Sequence, residues 1–230
     1  MKNILDKKLL KYYIDKYKVY EIFHEDIIDE VIFCFYETEE TIIEPESKLQ
    51  YYYLLVQGKI KVNYLFENGK SSLLKFYDAF ITIGDLELLK DLPVRCQVEA
   101  VEESYFILVP VSLIKEKYTH LNFFRHLAES LSDKLDATIN NSSYNSTYPL
   151  INRLSSYLLE YLKPDKDYII LRNPFKDIAE FLGTTYRHLN RTLNELEEKQ
   201  IIKCNQNKIY VLNEKALRDL SKKTYMSSLL

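Results

Sequence analysis

Two helix-period runs separated by a single tight turn constrain this chain more than any other feature in it. Phe175 to Leu182 places Ile178, Ala179 and Leu182 on one face. Leu189, Leu193 and Leu196 then recur at spacings of four and three. Gly183 stands between the runs, where a residue free to take a left-handed backbone ends the first helix and lets the second begin. The second helix buries its leucines and turns Tyr186, Arg187, Asn190, Arg191 and Asn194 outward. A polar, cationic helix face of this kind is what a DNA major groove accepts.

The segment that follows sharpens the reading. Lys199-Gln200 closes the helix, and Ile201 to Cys204 and Lys208 to Leu212 read as two strands joined by Asn205-Gln206-Asn207. Helix, turn, helix, hairpin is the order of a winged helix. The competing reading, a surface helix of an ordinary helical domain with solvated arginines, leaves the hairpin unexplained.

At 230 residues and 47% hydrophobic content the chain has room for two modest cores. Its net charge of −3 is divided unevenly, with 14 Lys/Arg against 10 Asp/Glu from residue 137 onward and 17 against 24 before it. Phosphate binding therefore belongs to the C-terminal half, on a localised face. No apolar run approaches a membrane span and the N-terminus has no signal-peptide core, so a cytoplasmic protein without membrane contact is expected. Cys34, Cys96 and Cys204 show no paired metal-ligand spacing, so neither a zinc site nor a disulfide framework is expected.

Ahead of the winged helix the patterns change twice. Residues 1 to about 22 carry Leu5, Leu9, Tyr13 and Tyr17 at helical spacing. From Val31 to Val109 short β-forming runs follow one another: Val31–Tyr36, Thr41–Ile43, Tyr51–Val56, Gly58–Phe66, Ser71–Tyr77, Cys96–Ala100 and Ser104–Val109. Gln57-Gly58 and Asn68-Gly69 supply turns, the second a type I′ signal, and the set predicts an antiparallel β-roll. A short helix spans Val111 to Tyr118. In the next, Leu121, Phe124, Ala128, Leu131, Leu135 and Thr138 follow the seam of a two-stranded coiled coil. The seam predicts a homodimer; the alternative is a helix packed on its own β-domain. Asn140 to Thr147 is a polar run with turn chemistry, predicted to break the helix. The resulting division is residues 1–118 for helix and roll, 119–141 for the dimerisation helix, 142–147 for a hinge and 148–230 for the winged helix, an α+β chain.

A β-roll, a long dimerisation helix, a hinge and a winged helix in this order resemble the Crp/Fnr superfamily of bacterial transcription regulators. The most specific stretch is Asp177-Ile178-Ala179 followed by Leu182-Gly183, Thr185, Leu189, Arg191, Leu193 and Leu196, and Tyr186-Arg187-His188-Leu189 resembles the YeiL-type branch. The resemblance implies a cyclic-nucleotide-binding-like roll, a homodimer on double-stranded DNA with a palindromic operator, and RNA polymerase as a partner. It places Tyr186, Arg187 and Arg191 on base-contacting positions, where many relatives carry Arg, Glu and Arg. Arg191 can pair with guanine O6 and N7, whereas Arg187 cannot accept from a cytosine amino group as Glu does, so the half-site is expected to differ. Thr184, Thr185, His188 and Lys208 are candidate phosphate contacts, with Asn190 beside the base-reading positions.

In cyclic-nucleotide-binding relatives a Gly-Glu pair and an Arg-Ser or Arg-Thr pair hold ribose and phosphate. Here Gly84-Asp85 and Arg95-Cys96 occupy the comparable places. Asp85 is a methylene short and Cys96 is a feeble donor, so the expectation is against cyclic nucleotide and toward an Asp85–Arg95 ion pair. Three dispersed cysteines cannot ligate an iron–sulfur cluster, and His120 and His126 make a weak case for haem. A small aromatic or apolar effector lined by Tyr51, Tyr53, Tyr64 and Phe124 stays open, as does a non-DNA-binding oligomeric scaffold. Phosphate-loop, metalloprotease and nucleophile-elbow motifs do not occur, so no catalytic residues and no metal are expected and the chain reads as a non-enzyme.

Overall fold

The computed structural model describes residues 1–23, 28–65, 71–117, 121–162, 166–171, 174–206 and 208–221. The chain divides into two units, residues 1–134 and 135–230. In the first, the β-forming runs make two antiparallel sheets. One has the order β1 (Lys2–Asn3), β2 (Ile32–Tyr36), β9 (Ser104–Pro110), β4 (Tyr51–Gln57), β7 (Ile81–Ile83); the other runs β3 (Thr41–Ile43), β8 (Cys96–Ala100), β5 (Lys59–Leu65), β6 (Ser71–Asp78).

The central strands β4 and β9 are apolar on both faces because both faces are covered. Tyr53, Leu55, Phe106 and Leu108 join Ile60 and Val98 in the core between the sheets. Tyr52, Leu54, Ile107 and Val109 point the other way, into a second core. That core is completed by Tyr13 of α1 (Lys7–Lys16), Val19 of α2 (Val19–Ile22), Leu113 and Ile114 of α4 (Val111–Lys117), and Phe123 and Leu127 of α5 (Leu121–Thr147). A further helix, α3 (Asp85–Lys90), follows β7. Strands buried on both faces lose the alternation that marks a half-buried one, so an unbroken run such as Tyr51 to Val56 is their signature.

Several boundaries differ from the sequence reading. The N-terminal helix starts at Lys7, because Asp6 caps it by accepting from Lys8 N–H at 2.9 Å and Leu9 N–H at 3.0 Å, and Lys2–Asn3 pairs with β2 instead. Gly58 is the turn residue expected, with φ +100° and a Cβ position 2.4 Å from Ser104 Oγ. The Asn68-Gly69 turn, the 118/119 boundary and His120 lie outside the described residues.

In the second unit α6 (Leu150–Tyr161), α7 (Phe175–Phe181), α8 (Tyr186–Glu198) and α9 (Glu214–Leu220) accompany a three-stranded sheet. Its order is β10 (Tyr168–Ile170), β12 (Lys208–Val211), β11 (Ile202–Asn205). The run expected to break, residues 142–147, forms the last turns of α5 instead. Asn and Ser cost a helix only about 0.7 kcal/mol or less per residue, a preference that tertiary bonds override. Asn145 supplies one such bond, to Phe181 O at 3.1 Å. The helix stops where Pro149 disfavours helical backbone at Tyr148.

Helix α5 carries two apolar registers. Phe123 and Leu127 are the buried one, whereas Leu121 (72% exposed), Phe124, Ala128, Leu135 (61% exposed) and Thr138 lie on the exposed side and Leu131 is half-buried. The predicted seam is therefore not the register that packs on the β-domain.

Candidate nucleic-acid interface

Helix α7 ends in a Schellman arrangement. Gly183 N–H donates to Glu180 O and Thr184 N–H to Ala179 O, both at 2.9 Å, with Gly183 at φ +61°. Two carbonyls remain beyond it. Phe181 O accepts from Asn145 Nδ2, and Leu182 O accepts from Nη1 of Arg153, a buried residue of α6. The same Nη1 donates to Asn145 Oδ1 at 3.2 Å, closing a triangle. Sequence reasoning missed both residues. The available signal was Arg153 itself, a charge set between Leu150 and Leu154 on an apolar helix face.

Thr185 caps α8, its hydroxyl accepting from His188 N–H at 3.2 Å. The first turn holds no carboxylate, so the positive end of the helix dipole faces outward unopposed by local charge. Leu189, Thr192, Leu193 and Leu196 are buried, and Thr192 Oγ1 donates back to His188 O at 3.0 Å. Tyr186, Arg187, His188, Arg191 and Asn194 are exposed and Asn190 is half-buried, the face drawn from the sequence. His188 Nδ1 lies 3.2 Å from Thr184 Oγ1, so these two expected phosphate contacts are hydrogen-bonded to each other.

The wing is larger than the hairpin read from sequence, because β10 adds a third strand. Register places Tyr168, Lys203 and Tyr210 on one face with Ile170, Asn205 and Lys208, while Ile169 and Ile209 are buried on the other. Lys208 Nζ sits 5.4 Å from the Tyr168 ring centroid and Lys166 Nζ 5.2 Å from the same ring, which gathers two ammonium groups beside the hairpin. Glu197 accepts from Cys204 N–H at 2.6 Å and so pins the wing to the end of α8. Burial pushes the Cys204 thiol up to about 11, Glu197 adding to the effect.

The four residues assigned to an effector pocket, Gly84, Asp85, Arg95 and Cys96, lie in the first unit. Asp85, only 2% exposed, turns to α5: it pairs with Lys134 and accepts from Ser130 Oγ at 2.8 Å, Tyr52 Oη at 2.5 Å and Thr82 Oγ1 at 3.3 Å. Lys134 Nζ also donates to Thr82 O at 2.7 Å. The carboxylate's ion pair is thus with Lys134 and not the expected Arg95, which is exposed. Gly84, at φ +107°, is approached by Leu49, whose Cδ2 lies 2.8 Å from a would-be Cβ. Burial pushes the Cys96 thiol up to about 11. The Asp85 carboxylate is thus taken by four donors, Tyr52, Thr82, Ser130 and Lys134, from the roll and α5. His126 Nε2 lies 3.3 Å from Thr82 Oγ1, and burial lowers its pKa against the opposing pull of Asp85. Of the aromatic set, Tyr51 and Tyr53 meet edge to face at 6.4 Å, Tyr53 is in the inter-sheet core and Phe124 is on the exposed side of α5.

Among the described residues no helix is long and apolar enough to cross a membrane, and no three His, Cys, Asp or Glu side chains converge as metal ligands do. A capped helix-turn-helix with an exposed cationic face, a wing, and a separate β-roll with a long helix define a two-part DNA-binding regulator. A cyclic nucleotide-binding domain model matches residues 33–119 and a Crp-like helix-turn-helix domain model residues 152–220. Regulatory protein YeiL of Escherichia coli O157:H7 is 28% identical over 182 residues, 78% of this chain and 81% of that protein. FixK2 of Bradyrhizobium japonicum shares the fold with a TM-score of 0.68 and 20% identity, covering 84% of this chain and 98% of its own. A crp/fnr-family regulator of Eubacterium rectale gives a TM-score of 0.74 at 15% identity, covering 92% and 100%. The chain belongs to the Crp/Fnr family of transcription regulators.

Proposed function

We propose that this regulator acts as a homodimer joined along α5, each subunit placing α8 in the major groove of one half of a palindromic site. The exposed face of α8 is the observation that carries this reading. Arg191 donates two parallel bonds to a guanine, Arg187 and Tyr186 read its neighbours, and Asn190 lies at their edge. Thr184, Thr185, His188 and Lys208 contact phosphates, the threonines aided by the helix dipole. Two-fold symmetry sets the half-site centres about 34 Å apart, one turn of DNA. The stripe of Leu121, Phe124, Ala128 and Leu135 supports the dimer, since in one subunit it lies exposed.

Regulation runs without a cyclic nucleotide, iron–sulfur cluster or haem. In place of a ligand the roll uses its own Asp85–Lys134 pair to hold α5, and RNA polymerase is the partner through which transcription changes. The protein works in the cytoplasm as a binder and not as a catalyst. A gel shift with Arg191→Ala tests the central assignment: loss of discrimination between operator and random DNA is expected, and unchanged discrimination overturns it.

A further inference from the structure

We infer that Arg153 and Asn145 are positioning residues for DNA reading, holding the turn that sets the direction of α8. The inference rests on the assignment of α8 as the reading helix and adds residues that touch no DNA.

A helix end leaves its last acceptors without intrahelical donors. From Ile178 to Leu182 each has a named donor: Ile178 O takes Leu182 N–H, Ala179 O takes Thr184 N–H, and Glu180 O takes Gly183 N–H. Phe181 O and Leu182 O are beyond reach of the turn's own amides and take Asn145 and Arg153 instead. One donor comes from the end of α5 and the other from α6, so two neighbouring helices fix the turn. Gly183 contributes space as well as conformation, because a Cβ there would lie 3.3 Å from Asn145 Nδ2 and 3.4 Å from Arg153 Nη1. A guanidinium on a residue only 8% exposed is costly to bury, and here it sits against the negative end of α7 with two oriented acceptors. Such a charge fixes geometry. The turn leads within four residues of Gly183 into Tyr186 and Arg187, so a small rotation of it displaces every base-reading group together.

The test compares Arg153→Met, Arg153→Lys and Asn145→Ala with the wild type on a selected operator and on random DNA, across a salt series. Positioning predicts that Arg153→Met and Asn145→Ala lower operator affinity by about tenfold while random-DNA affinity and the salt slope stay unchanged. A phosphate-contacting arginine would instead shift the slope by about 0.9. Arg153→Lys, which keeps a buried donor, falls between. Asn145 is half-buried, so Asn145→Ala decides alone if Arg153→Met does not fold. Equal losses on both DNAs, or no loss on either, overturn the inference. A wild type that fails to discriminate the two DNAs would instead overturn the assignment of α8.

Discussion

Removing the Lys134 ammonium should destabilise the first unit far more than neutralising its partner. Asp85 is 2% exposed, whereas the Lys134 side chain is 23% exposed. Lys134→Met therefore strands a buried charge and also takes a donor from Thr82 O, for a cost of about 3–5 kcal/mol. Asp85→Asn leaves an ammonium that can turn toward water and keeps one acceptor oxygen for Tyr52 and Thr82, while its amide nitrogen faces Ser130, whose hydroxyl can turn to accept, so about 1–2 kcal/mol is expected. The double variant Asp85→Asn/Lys134→Met should fall short of the sum by about 2 kcal/mol, since the groups are in contact. Urea unfolding followed by far-UV circular dichroism reads this directly. With an m-value of roughly 2–3 kcal/mol per molar, Lys134→Met moves the affected midpoint by at least about 1 M. A cost below about 1 kcal/mol for Lys134→Met, or strict additivity, would refute the buried pair.

Three further outcomes follow from the same geometry. Burial lowers the His126 pKa, so the unfolded chain binds the extra proton: the contribution of His126 is fully present above pH 6.5 and is lost as pH falls toward its folded value, and His126→Gln should remove that slope from stability measured by calorimetry. A slope unchanged by the substitution would count against it. Gln200 holds φ +55° at the Schellman end of α8, so Gln200→Gly should raise stability by about 1 kcal/mol in thermal unfolding, and a loss would contradict the strain argument. Leu135→Asp changes a side chain that is 61% exposed in one subunit; sedimentation should give a folded monomer, and a persistent dimer would exclude the α5 seam.

What the sequence made legible was periodic. The α7–turn–α8 pattern and its outward face needed only 3.6-residue spacing and one glycine, and most strands of the roll announced themselves by β-branched and aromatic runs. Short elements escaped: Ile81–Ile83 and Tyr168–Ile170 are too brief to show a period, and only register with β4 and β12 makes them strands. The run from Asn140 to Thr147 continues the helix because local turn chemistry is outweighed by Asn145's bonds to Phe181, 36 residues on, and to Arg153 of the next helix. The partner of Asp85 escaped for a related reason. The position of Asp85 after Gly84 matched a ligand-reading pattern, but its true partner, Lys134, lies 49 residues away on a helix face that no local pattern connects to it.

Selection of bound duplexes from a random library by the full chain is the most direct test of the account. It should enrich a palindrome whose half-sites are centred about 10 base pairs apart, and repeating it with Arg191→Ala should erase the preference for one guanine in each half. Enrichment of no sequence, of a single unpaired half-site, or of the same palindrome with that guanine still required by Arg191→Ala, would contradict a symmetric reader built on α8.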